Sequence, residues 1–263
     1  MKIQLEQLNI EASEHDGRDL IIEGINHPVF EYPDELDYRV EMPAAWDQGV
    51  DGPCSAYAAA AIKMYHERKD YGSRTDLSRF FVYNLRSNYP AKGMTPRDTM
   101  KILQRWGIPF RSSFKRRWNS IDEIPQEVLD EAANHKILGY AKIMTIEGLK
   151  KSLYKNGPAY IAMPVHNEGP EFWKPTSSQR AMGGHALVVV GYNHEGFILR
   201  NSWGTDWAWD GHSLYKYKDF GMHYEIWTAI DDLSSEPVIS VKDKKKARRR
   251  RMTIIEKILS IFK

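Results

Sequence analysis

Apolar positions along the chain fall into two regimes. From residue 54 to about 107 they recur at helical spacing, and from about 121 onward they gather in short runs. Ala58, Ala61, Ile62 and Tyr65 share one face of a helix predicted over residues 54–69. A second helix is expected over 76–84, with Asp76 as its cap. A third starts after Gly93-Met94-Thr95-Pro96, runs through Met100, Ile102 and Leu103, and is ended by Gly107 and Pro109. Ser120 and Glu123 open a short helix over 121–129. Residues 137–143 and 159–165 read as strands. Between them a helix over 145–156 is stopped by Gly157-Pro158. His185 opens a buried-type strand to Tyr192, residues 193–196 make a turn, and 197–203 return antiparallel. Residues 213–217 add another strand. Helices first and strands later predict an α+β fold with two segregated halves.

Both ends depart from this pattern. Residues 1–35 hold nine acidic side chains against Lys2 and Arg18, with apolar residues at Ile3, Leu5, Leu8, Ile10 and 20–22. They read as an extended arm, either packed on the body or laid across a functional cleft before activation. At the other end Lys242, Lys244–Lys246 and Arg248–Arg251 precede Ile254, Ile255, Ile258, Leu259 and Phe262 at helical spacing. A basic run joined to an amphipathic helix suits an anionic membrane or a protein partner's groove, against the plainer alternative of a solvated linker. It carries no base-reading module, so sequence-specific nucleic-acid binding is not expected. The chain thus divides into an acidic arm (1–35), a body (36–235, helical over about 54–120 and β-rich over about 121–235) and a basic tail (236–263).

Composition narrows the classes. A chain of 263 residues, 42% hydrophobic, can bury a sizeable core, and a net charge of +2 points to no polyanionic partner for the molecule as a whole. A single cysteine allows no internal disulfide. With no secretory signal and no apolar run of membrane-spanning length, it sets the expectation of a cytoplasmic protein. No metal or cofactor is expected.

That cysteine is Cys54, at the first turn of the first predicted helix, where exposed backbone N–H groups favour a thiolate. A nucleophilic thiol needs a base, an orienting group on the base's other nitrogen, and donors for the oxyanion. His185 follows Gly183-Gly184 at the mouth of the buried strand. Asn201 lies one hairpin later, as a cross-strand neighbour whose amide oxygen can hold the imidazole, with Trp203 to shield that bond. Gln48, six residues before Cys54, brings an amide donor beside the Cys54 N–H.

These blocks, in this order, resemble the papain-like cysteine peptidases. Residues 47–57 are similar to the family's glutamine-to-cysteine block, 184–192 to its histidine block and 200–207 to its asparagine block. Asp37-Tyr38-Arg39 is similar to the lead-in of bacterial-type members. The Cys54-to-His185 separation of 131 residues falls in the family's interval of about 130–150. The resemblance implies a helical half facing a β-barrel half across a cleft, and endopeptidase chemistry through a thioester. It implies Cys54 as nucleophile, His185 as base and then acid, Asn201 as orienter and Gln48 as oxyanion donor. Gly93, Met94 and Gly184 would line the substrate cleft. The same residues also serve other acyl transfers (amidase, isopeptidase or transglutaminase-like), or remain in an inactive binding module. Departures are Pro53 and Ser55 beside the thiol, the missing disulfides, Ala208 in place of a glycine, and only about 35 residues before the match.

Overall fold

The structure, a computed structural model, describes residues 8–25, 31–50, 53–72, 75–115, 121–175 and 180–231. The basic tail and the Ser120 cap fall outside these residues.

The first regime folds as helices α1 (Cys54–Tyr71), α2 (Phe81–Asn84) and α3 (Pro96–Arg105). Every residue of α1 from Cys54 to Lys63 is buried, so it is an inner column rather than an amphipathic surface helix. Its run of alanines leaves room for close neighbours on every side. α3 starts as its sequence demands: the Thr95 hydroxyl accepts from Asp98 N at 3.2 Å, and Pro96 fills the first turn. α2 is shorter than the spacing predicts, its N-cap position is Phe80, and it is Ser78 rather than Asp76 whose side chain meets its first amides. Ser78 Oγ accepts from the amides of Phe80 and Phe81. Asp76 instead pairs with Arg79 at 3.0 Å. The cause is tertiary: Leu77 bridges Phe110 and Ser78 N donates to Pro109 O, which keeps residues 77–78 extended. Farther on, Pro125 breaks the helix expected over 121–129 into a 3₁₀ turn (Ile121–Glu123) and helix α4 (Gln126–Ala132).

The second regime is one antiparallel sheet. Its strands are β1 (Leu36–Asp37), β2 (Gly139–Ile143), β3 (Ala159–Val165), β4 (Gly183–Tyr192), β5 (Gly196–Arg200), β6 (His212–Lys216) and β7 (Glu225–Ile230). The order is β2-β7-β3-β4-β5-β6, with β1 on β4. Strand β7 has no counterpart in the sequence reading, yet it sits between β2 and β3. The two halves and the helix-then-strand order are those of a papain-like α+β fold. The sheet, however, is open among the described residues, not the closed barrel expected. The outer edge of β2 is occupied by the arm, where Ile21 bridges Lys142 and Lys142 N donates to Leu20 O at 2.7 Å.

Both faces of the central strands are buried, which is why β3 and β4 read as unbroken apolar runs. Tyr160, Ala162, Ala186, Val188 and Val190 face a core shared with α1 and α3. Ile161, Met163, Leu187 and Val189 face a second core with Leu149 and Leu153 of helix α5 (Ile146–Asn156). No helix among the described residues is long and apolar enough to cross a membrane.

Candidate active site

Cys54 opens α1, so its own N–H and that of Ser55 have no intrahelical acceptor and are free to face the thiol. Residues 47–48 reach this helix end by pairing with the chain after β5. Asp47 bridges Trp203, and Gln48 N donates to Ser202 O at 2.8 Å. The Ser202 hydroxyl then donates to Gln48 Oε1 at 2.5 Å. This fixes the buried amide with its oxygen occupied.

His185 lies at the third position of β4. The register Val188↔Arg200, carried on, sets it opposite Trp203 rather than Asn201. The rings stack, with centroids 4.5 Å apart and 23° between planes. Asn201 is the diagonal neighbour, and its Oδ1 is 2.7 Å from His185 Nε2. The same oxygen accepts from Ser202 N at 2.7 Å, which fixes it as the carbonyl end. Nε2 therefore carries the proton, and the buried Nδ1 has no hydrogen-bond partner among the described residues. Phe172 closes the site edge-on to His185 and 5.2 Å from Trp203. Ser202 and Phe172 were missed in the sequence. Ser202 had a signal in its place between Asn201 and Trp203, whereas Phe172 had none.

The acidic arm crosses this site. Ile10 N donates to Gly184 O at 3.1 Å, Met94 N to Asn9 O at 2.9 Å and Glu11 N to Met94 O at 3.1 Å. Ile10 and Met94 pair in parallel. Gly93, Met94 and Gly184 thus all contact the arm, and a Cβ at either glycine would collide with Glu11 or with the Ile10 carbonyl. Asn9 Oδ1 accepts from the Cys54 thiol at 3.2 Å. Beyond the site, Ser13 N donates to Glu225 Oε1 at 2.5 Å, and Arg97 on α3 holds Asp19 through Nε (2.7 Å) and Nη2 (2.5 Å). Glu23 Oε1 takes the Met144 and Thr145 amides ahead of α5.

The sequence predicts a thiolate at Cys54, but in the closed arrangement burial pushes the thiol up to about 11. Burial outweighs the N–H groups of Ala186, Asn9, Ser55 and Cys54, which act the other way. Burial also lowers His185 to about 4, against the Asn201 bond that favours its charged form. Both groups are therefore neutral at pH 7. Among the described residues no three His, Cys, Asp or Glu side chains are arranged to hold a metal ion.

Comparison with known proteins fits this geometry. Residues 32–229 match the model of the papain family of cysteine proteases. An uncharacterised peptidase C1-like protein of Acanthamoeba polyphaga mimivirus is 27% identical over 246 residues, 78% of this chain and 76% of that protein. Cysteine proteinase 3 of Entamoeba histolytica is 25% identical over 69% of this chain, and the match spans 62% of that protein's length. Among solved structures, xylellain, a cysteine protease from Xylella fastidiosa, superposes with a TM-score of 0.72 at 21% identity. It covers 88% of this chain and 98% of its own.

Proposed function

As the chain belongs to the papain family of cysteine proteases, we propose that it cleaves peptides or proteins internally, through Cys54, His185, Asn201 and Gln48. The observation that carries this is the His185 Nε2–Asn201 Oδ1 bond, which leaves Nδ1, without a partner among the described residues, as the basic nitrogen on a strand packed against the helix that starts at Cys54. With the arm withdrawn, His185 Nδ1 takes the thiol proton. The Cys54 sulfur then attacks the substrate carbonyl carbon. Gln48 Nε2 and the Cys54 N–H donate to the oxyanion. His185 returns its Nδ1 proton to the leaving amine as the C–N bond breaks, leaving a thioester. A water that gives its proton to Nδ1 attacks that thioester. The C–S bond breaks, and a carboxylic acid leaves. Met94 and Gly184 hold the substrate backbone with the backbone groups that now hold the arm, and Gly93 lines the cleft beside them.

The test is hydrolysis of fluorogenic peptides in an Arg97→Ala background, where the arm has lost its ion pair. Cys54→Ala should abolish turnover. Gln48→Ala should lower it by about 10²–10³ without unfolding the protein. Cleavage by the Cys54→Ala variant at the rate of its parent would overturn the reading. The family match favours peptide hydrolysis over other acyl transfers by the same residues.

A further inference from the structure

Strand β5 carries one residue that its pattern does not account for. Phe197 and Leu199 face the core shared with α5, and Ile198 faces the core shared with α1. Alternation puts Arg200 on the Ile198 face, at the boundary between the halves, where an apolar side chain is the expectation. It is buried all the same, with 1% exposure. Among the described residues no carboxylate offsets its charge. Burial and the nearby Arg79 both act against that charge and push the guanidinium down to about 9, so it is still charged at pH 7. What it meets is backbone. Nε donates to Pro43 O at 3.2 Å and Nη2 to Ala44 O at 2.7 Å. Its guanidinium carbon lies 4.7 Å from the centre of the Trp46 ring, over which Arg79 also lies at 3.9 Å.

These contacts fall on the segment that delivers Gln48. Gly204 N donates to Trp46 O at 3.0 Å, Asp47 bridges Trp203, and Gln48 N donates to Ser202 O at 2.8 Å. That ladder holds residues 46–48, and Arg200 holds residues 43–44 immediately ahead of it. Resting on the peptidase reading above, we propose that Arg200 is a positioning residue for the oxyanion donor. Its fork and the Trp46 ring tie the chain ahead of Gln48 to the end of β5, and so set where the Gln48 amide stands relative to the Cys54 N–H. The residue type fits the task. A guanidinium presents several donors in one rigid plane and lays that plane on an aromatic ring, whereas an ammonium is a point charge on a flexible stem. A buried charge without a counter-charge is costly, and packing alone would be served by an apolar side chain. Here the two carbonyls and the ring offset that cost, and what they gain is a fixed backbone at a place where a shift of about 1 Å can slow catalysis by about 10²-fold. Arg200 and Asn201 are consecutive, and their side chains divide the work. Asn201 holds His185, and Arg200 holds the segment that leads to Gln48.

The test compares Arg200→Lys, which keeps the charge and loses the fork, with its parent in the Arg97→Ala background. Amide hydrogen exchange should quicken by about tenfold or more at Gln48 and Gly204, while β3 and β4 keep their protection. On fluorogenic peptide amides kcat and kcat/KM should fall together, by roughly 10–100-fold, within the ~10²–10³ that a whole oxyanion donor supplies. Added to Gln48→Ala, the change should cause no further loss. Alkylation of Cys54 by iodoacetamide draws on the thiol and His185 but develops no oxyanion, so it should keep the parental rate. Alkylation slowed as much as hydrolysis overturns the inference, because Arg200 would then act through Asn201 and His185. So does an additive loss in the double variant, hydrolysis at the parental rate, or unchanged exchange at Gln48. Should Arg200→Lys not unfold cooperatively in urea, Trp46→Leu, which takes away the ring alone, is held to the same outcomes. A parent that hydrolyses no peptide sinks the peptidase reading alone, and exchange at Gln48 still decides the clamp.

Discussion

The Ser202 hydroxyl donates to Gln48 Oε1, and that bond identifies the carbonyl end of the amide. In the proposed mechanism Nε2 is the end that donates to the oxyanion. Ser202 N also fixes Asn201 Oδ1 toward His185, so one residue orients two amides. Removing the hydroxyl leaves the second task intact and takes one restraint from the Gln48 amide. A neutral hydrogen bond is worth about 0.5–1.5 kcal/mol, so Ser202→Ala should lower kcat by up to roughly tenfold with KM little changed. The Gln48→Ala/Ser202→Ala double variant should be no slower than Gln48→Ala alone. A further loss in the double variant would show that Ser202 acts by another route.

Between β5 and β6 the chain turns tightly beside this site, and two non-glycine residues adopt the left-handed region: Ala208 at φ 47° and Asp210 at φ 48°. Such a conformation costs an L-residue roughly 1–2 kcal/mol, partly offset because glycine loses more freedom on folding. Ala208→Gly should therefore stabilise the protein by about 0.5–1 kcal/mol in urea unfolding, with peptide hydrolysis retained. An unchanged or lowered midpoint would mean that the loop relaxes elsewhere. The sequence already marks this loop as a departure, at Ala208 where family members carry glycine, but a strained φ cannot be read from one letter. The same limit runs through the elements. α1 and β4 were readable because helical spacing and an unbroken apolar run each carry their own signal. The cap of α2 was not, since the pairing of Leu77 with Phe110 that displaces Asp76 joins segments far apart in sequence. β7 was missed because Glu225 and Thr228 interrupt its apolar character; their partners come only with the tertiary fold. At the site, the three family blocks announced Cys54, His185 and Asn201. Nothing local announced Asn9, which meets the thiol only because the arm pairs with Met94 and Gly184.

At the scale of the molecule, a second charged cluster joins the halves away from the reacting groups. Lys63 of α1 pairs with Asp231, just after β7, and with Glu67 at 2.8 Å. His135, ahead of β2, meets Glu67 at 3.1 Å. Lys63, Glu67 and Asp231 are all buried. Burial alone would raise Glu67, but Lys63 and His135 override it and hold the carboxyl at about 2. A depressed carboxyl contributes stability that is present above its unfolded value of about 4.3 and is lost as pH falls through about 2. His66, whose Nδ1 lies 3.6 Å from Asp231, is lowered by burial. Its contribution is present above about 6.5 and is likewise lost on acidification. The intact cluster should therefore lose stability as pH falls from 7 to 5. Lys63→Leu removes the shared cation and leaves two buried carboxylates facing each other. Breaking a buried ion pair from one side costs about 3–5 kcal/mol, so the variant should be weakened by that much at pH 7. Its pH dependence should also weaken. His135 still lowers Glu67, so without Lys63 burial weighs more on that carboxyl and its depression is reduced, and the loss of stability on acidification should be shallower than in the parent. Urea unfolding at the two pH values measures both effects. A variant that is destabilised but keeps the parent's slope would show that Lys63 matters for packing and that its charge is not what binds β7 to α1.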